Sequence, residues 1–215
     1  IYLPDFMKKI FFILLIPLFL HSQERKITNA YRFSKPPKID GKITKGEWDQ
    51  VKGNTGFVVW FPESRAGDKL DEDYKTTTYI GYDDEAIYVG AILIHPDTSN
   101  MPMEFSLRDK TAGIESEALW VSFNTFDDNL NYQSFEVTAA GAIADMFSSG
   151  DFDPQNDYDY DTVFEGYSSI DNDGWYVEMK IPYSALRFPK KNVQEWGINF
   201  GRHSPELDAL SLIHI

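Results

Sequence analysis

The side chains in this chain that could do chemistry are chiefly carboxylates and indoles. Lys+Arg number 20 against 34 Asp+Glu, and there is no cysteine. The missing thiols exclude disulfides, Cys-ligated zinc and a thiol nucleophile together. The zinc-protease helix motif, the phosphate-cradling glycine loop and the nucleophile elbow do not occur. Of four histidines, His21 and His214 stand close to the two ends. His95 and His203 have no spaced partner to complete a metal site or a triad. Glycoside hydrolysis needs only two carboxylates at a set separation, and no pair stands out from the others.

The densest run of oxygens is the stretch from Asp151 to Asp161, where Asp151, Asp153, Asp157 and Asp159 recur at close spacing. Crowded hard oxygens suit Ca²⁺, which relieves their mutual repulsion, and these four are the candidate calcium ligands. The glycine and terminal glutamate of an EF-hand are missing, so a solvated acidic loop is the competing reading. Glu115 and Glu117 near Asp109 form a second acidic cluster. Among five tryptophans, Trp175 and Trp196 fall in phase with apolar strand positions, and Trp48 follows Ile39-Asp40-Gly41 in a short amphipathic turn; all three read as core. Trp60 precedes Phe61-Pro62 at the mouth of a polar loop. Trp120 is out of phase with Leu119, Val121 and Phe123, so it belongs on the opposite sheet face beside Ser122. An indole on a polar sheet face can stack against the C–H side of a sugar ring while neighbouring polar groups take the hydroxyls.

Period-two alternation dictates the elements that must carry these residues. Ile87, Val89, Ala91 and Leu93 form one face of a strand buried on both sides, preceded by a Thr-rich partner from Lys75 to Ile80. Further alternating strands cover Leu119–Phe123, Tyr132–Thr138, Trp175–Ile181 and Trp196–Phe200, with Glu178 and Lys180 pointing outward. Helical spacing is confined to Thr44–Gln50, with Thr44 capping Glu47, and to Tyr183–Leu186. Eight or more short strands without crossover helices predict an all-β protein, an antiparallel β-sandwich of immunoglobulin or jelly-roll type with one or two short helices. Sixteen Phe, 12 Tyr and 5 Trp agree with that class. A formal net charge of −14 argues against a nucleic-acid partner.

The ends read differently from the body. Residues 1–6 have the character of upstream read-through. Met7-Lys8-Lys9 and the apolar run Ile10–Leu20 then form a basic and a hydrophobic region ahead of a small residue at Ser22. This predicts a signal peptide over 7–22 and export to the periplasm, outer membrane or cell surface. The sandwich is expected over 23–203, and 204–215 reads as a truncated or out-of-frame apolar tail.

Four motifs in order then resemble the carbohydrate-binding module family 9-like domains. They are Pro37–Gly41 with Glu47-Trp48, Thr76–Gly90, Glu117–Asn124 and Gly174–Pro182. The pair Ile181–Phe188 and Trp196–Arg202 is similar to a subset in which the module precedes an outer-membrane β-barrel. The resemblance implies a sugar-binding β-sandwich that is itself non-catalytic, in a family associated with hydrolysis of O-glycosyl compounds and with carbohydrate catabolism. The implied partner is a polysaccharide or oligosaccharide, and structural calcium is a further implication. By position the polar sites fall near Trp120, Glu136 and Thr138, with Trp60 as a further stacking candidate. The family's first clamp tryptophan has no counterpart in Thr111–Glu117. The alternative expectation is therefore an interaction module of a barrel protein, without sugar affinity.

Overall fold

Alternation of apolar and polar residues becomes twelve strands in a computed structural model that describes residues 26–149, 155–157 and 159–215. In chain order these are β1 (Tyr31–Arg32), β2 (Val58–Phe61), β3 (Thr76–Tyr82), β4 (Ala86–Ile94), β5 (Ala118–Asn124) and β6 (Asn131–Thr138). There follow β7 (Ile143–Ser149), β8 (Gln155–Asp157), β9 (Glu165–Ile170), β10 (Gly174–Pro182), β11 (Gly197–Ser204) and β12 (Ala209–His214). One sheet has the order β1-β3-β4-β10-β9, the other β2-β12-β11-β5-β6-β7-β8. The β1–β3 contact is parallel and the remaining ladders are antiparallel. The β-sandwich expected from the alternation is the architecture observed. The expectations for residues 1–6 and 7–22 lie outside the described residues.

The two sheets meet over Leu119, Val121, Phe123, Phe135, Val137 and Phe200 on one side and Val89, Leu93, Trp175, Val177 and Met179 on the other. Each fully buried side chain of this kind contributes roughly 1.5–3 kcal/mol relative to exposure. One charged pair crosses this core. Arg202 Nε donates to Glu117 Oε2 at 2.8 Å, and its Nη1 donates to the carbonyls of Tyr74 at 2.9 Å and Ile94 at 3.1 Å. Trp175 Nε1 donates to the same Glu117 oxygen. The pair therefore ties β5 and β11 to β4 and β10.

Three local expectations change. Residues 44–50 form turns, not a helix, because Gly46 sits at φ +94°, outside the right-handed helical region. Thr44 and Glu47 still meet, but the Thr44 hydroxyl donates to the Glu47 carboxylate and the Glu47 N–H goes to the Thr44 carbonyl, so the capping bond expected is not the one made. Tyr183–Ala185 is a single 3-10 turn. Glu178 does not face solvent. It is fully buried beneath the 39–48 segment, and Phe33, Trp48 and Val51 pack with Ala86 and Tyr88 on the same outer face of the five-stranded sheet.

The apolar tail is also corrected. Residues 209–214 form β12, an interior strand between β2 and β11. Ala209, Ser211, Ile213 and Ile215 alternate into the core and are buried, and Ile198 and Ile215 exchange two backbone hydrogen bonds. The same alternation that reads as an exposed apolar run in isolation is the pattern of a strand with one buried face. The sandwich therefore extends through Ile215, beyond the expected limit at 203.

Candidate functional site

The outer face of the seven-stranded sheet carries the polar positions of β11, β5 and β6. Antiparallel register places Gly201, Trp120, Glu136 and Ala144 in one row across four strands. The adjacent row is Asn199, Ser122, Ser134 and Met146. Directly opposed side chains lie about 4.5–5.5 Å apart at Cβ, so Trp120 and Glu136 are neighbours although 16 positions separate them in the chain. Leu119, Val121 and Phe123 are wholly buried and Trp120 is half-buried, as the phase of the strand predicted.

Gly201 sets the pose of the indole. A Cβ at this position would lie 2.0 Å from Trp120 Cζ2, so the ring is laid across β11 where there is no side chain. An interior strand glycine commonly marks such a close approach. Beside the ring, burial pushes the Glu136 carboxyl above its ordinary value, and the Thr111 hydroxyl draws it partly back. The Ser122 and Ser134 hydroxyls share a hydrogen bond of 2.7 Å. Asn199 Oδ1 lies 2.5 Å from His214 Nδ1.

A hairpin over residues 102–117 walls this face at the Glu136 end. Glu104 N–H donates to Glu115 C=O and Glu117 N–H donates to Pro102 C=O, while Asp109 N–H reaches Ile143 C=O at the edge of β7. The hairpin exposes Phe105 and Leu107, each 71% accessible. Sequence reasoning did not single out either one; their signal was two large apolar side chains outside every alternating segment. It also missed Gly201 and Asn199, whose importance depends on cross-strand register.

The other expected residues separate from this pair. Thr138 is fully buried, and its Oγ1 accepts the Ala142 N–H within the turn joining β6 to β7, so it serves the turn. Trp60 is 59% exposed, but it stands on β2, three strands away at the sheet edge. It is the extra residue where the register with β12 shifts, between Val59 opposite Ser211 and Phe61 opposite Leu210. With strands about 4.8 Å apart, β2 lies roughly 14 Å from β5.

Of the candidate calcium ligands, Asp151 and Asp153 lie outside the described residues. Asp157 and Asp159 are exposed, and Asp157 Oδ1 accepts the Asp159 N–H. Among the described residues, Asp109, Asp145 and Asp161 bring carboxylate oxygens within 4.8 Å of one another. Arg108 already stands among them, pairing with Asp145 and, at 3.2 Å, with Asp109. Asp145 Oδ2 also accepts Thr162 N–H and hydroxyl bonds. Burial pushes the Asp145 carboxyl up, while Thr162 and the Arg108 charge pull it down. This hard-oxygen set fits a calcium ion only where Arg108 gives way to it. Glu117, placed in the second acidic cluster by sequence, is instead committed to Arg202.

No protein-family model and no curated protein matches the chain. Solved structures match its fold. A candidate carbohydrate-binding protein from Bacteroides uniformis ATCC 8492 superposes with a TM-score of 0.61 at 13% identity, over 88% of this chain and 89% of that one. A carbohydrate binding module family 9 from Caldicellulosiruptor kristjanssonii in complex with glucose gives 0.54 at 16% identity, over 87% and 84%. A module of the same family and organism in complex with cellotriose gives 0.51 at 14% identity, over 86% and 82%. The architecture of this chain is thus that of the family 9 β-sandwiches.

Proposed function

We propose that this chain is a non-catalytic carbohydrate-binding module that takes a poly- or oligosaccharide on the outer face of its seven-stranded sheet. The observation that carries the reading is the Gly201–Trp120–Glu136 row, an indole seated on a glycine beside a carboxyl. The C–H face of a pyranose stacks on the indole, and Glu136, Ser122 and Asn199 exchange hydrogen bonds with its hydroxyls. The glucose and cellotriose bound by modules of like fold support the same ligand class. The basic and apolar run from Met7 to Leu20 supports export, and the sequence resemblance supports a role beside glycosidases in carbohydrate catabolism. A structural calcium ion belongs to this reading, with its ligands in the acidic 151–161 stretch.

Calorimetry and affinity-gel electrophoresis against xylan, cellulose and mixed glycans test the proposal, on calcium-loaded and chelated protein. Trp120→Ala is expected to weaken binding at least ~10-fold, given about 1.5–3 kcal/mol for a buried aromatic contact. Gly201→Ala, which displaces the ring without removing it, is expected to weaken it too. Folded protein that binds none of these glycans, or equal affinity in Trp120→Ala, overturns the reading. The exposed pairs Trp60-Phe61 and Phe105-Leu107 favour a second reading, an interaction module for an outer-membrane β-barrel. Retained attachment to such a barrel in a sugar-blind protein would establish it.

A further inference from the structure

At the opposite end of β5 and β6 from the 102–117 hairpin, and on the inner side of the sheet, lies a cavity of 290 Å³. That volume is close to the lower bound of about 300 Å³ for small-molecule clefts. Phe126, Asp128, Asn131, Gln133, Phe147 and Arg187 line it. The cavity shares no residue with the Trp120–Glu136 face, and its ligand does not depend on that reading.

The wall is held rigidly. Gln133, buried at 2% exposure, accepts the Arg187 N–H at 2.5 Å and donates to the Arg187 carbonyl at 3.1 Å. The Thr125 hydroxyl donates to the same carbonyl. These bonds fix the backbone of Arg187 and involve none of its guanidinium nitrogens. The guanidinium lies over the Tyr160 ring, 5.8 Å from its centre, and the ion pairs among the described residues do not include it.

The lining's acceptors, by contrast, are largely committed. Asp128 Oδ1 accepts the N–H groups of Leu130 and Asn131 at 2.9 and 3.0 Å, and its Oδ2 accepts Asn131 Nδ2 at 2.6 Å. The Gln133 amide is spent on Arg187 and Thr125. What remains is a planar fork of five N–H donors beside an apolar face, since Phe126 is 47% exposed. A ligand that satisfies both must bring a planar anionic acceptor attached to a flat apolar-sided ring. A guanidinium meets a carboxylate through two parallel hydrogen bonds, and phenyl rings pack against the C–H face of a pyranose.

We propose that this cavity binds a hexuronic acid residue of an acidic glycan, its carboxylate on Arg187 and its ring against Phe126. The test is calorimetry of the protein with tri-galacturonic acid and with its carboxyl-reduced, neutral counterpart. The acidic trisaccharide is expected to bind at least ~10-fold more tightly than the neutral one, the range of a charge-assisted hydrogen bond. That preference is expected to shrink as salt rises. Arg187→Gln keeps the backbone bonds that pin the loop and is expected to erase the preference. Phe126→Ala is expected to weaken the acidic ligand, and Trp120→Ala to leave its affinity unchanged. Equal affinity for the two trisaccharides, no binding of the acidic one, or a preference that survives Arg187→Gln in a folded protein overturns the proposal. Loss of the acidic ligand in Trp120→Ala overturns it as well, by placing that ligand on the outer face.

Discussion

Glu136, on the face proposed to take a sugar, carries a cost to the folded state. Burial raises its carboxyl above the ordinary 4.5, so the folded protein holds that proton to higher pH than the unfolded chain does. The group's contribution to stability is therefore greatest below 4.5 and declines as pH rises through the raised value. Glu136→Gln removes the desolvated charge. It is expected to raise the melting temperature at pH 7 and to lose that advantage in acid, as thermal unfolding across pH will show. A variant melting lower than the parent at pH 7 would mean that the carboxylate is satisfied where it stands. At this scale the facing of Trp120 was legible, because a residue out of phase with Leu119, Val121 and Phe123 must join Ser122 on the opposite face. The commitment of Thr138 to a turn was not, because a hydroxyl's partner depends on how the chain reverses four residues later. Gly201 was silent for a similar reason: its neighbour comes from another strand.

At the scale of elements, two of the motifs behind the family resemblance prove to be two halves of one latch. Glu178 on β10 accepts the N–H groups of Asp40, Gly41 and Lys42 on Oε2, at 2.9, 3.0 and 3.3 Å, and the Trp48 indole N–H on Oε1 at 2.8 Å. Burial pushes the Glu178 carboxyl up, and these donors hold it down. The strand's alternation assigned Glu178 correctly to the face opposite Val177 and Met179. It could not reveal that a distant segment folds over that face. Glu178→Ala leaves four donors to find new partners. It is expected to destabilise the fold by at least ~2 kcal/mol, given about 1–3 kcal/mol for each buried unsatisfied group. Denaturant titration would read this as a lower midpoint, and an unchanged midpoint would show that the 39–48 segment contributes little to stability. The turn carrying Trp48 is irregular for a reason written in the chain, Gly46 at positive φ. Its helix-like spacing of apolar residues outweighed that glycine on reading.

For the molecule as a whole, the decisive arrangement is β12 between β2 and β11. A chain ending at Asp208 is expected to expose the edge of β11 and release β2, together with Trp60 and Phe61, from the sheet. Amide hydrogen exchange would show lost protection at Trp60 and Phe61 and along Gly197–Ser204, while Val59, whose N–H donates to the Asp68 carbonyl, is less affected; full retained protection of β11 would contradict the topology. The sandwich class was legible because alternation is a local signal repeated in many strands. The place of β12 was not, since six alternating residues after a turn specify a strand and leave its neighbours open. That placement also dictates an order of assembly. Val59 finds local partners early, through backbone hydrogen bonds with Gly67 and Asp68, but the ladder that seats β2 in the sheet is with β12, about 150 residues later, so ribosomal synthesis must reach the last strand before β2 docks. Until then Val58–Phe61 keeps one edge open and carries two exposed aromatic rings, and a holdase that shields it during synthesis would raise the yield of folded protein.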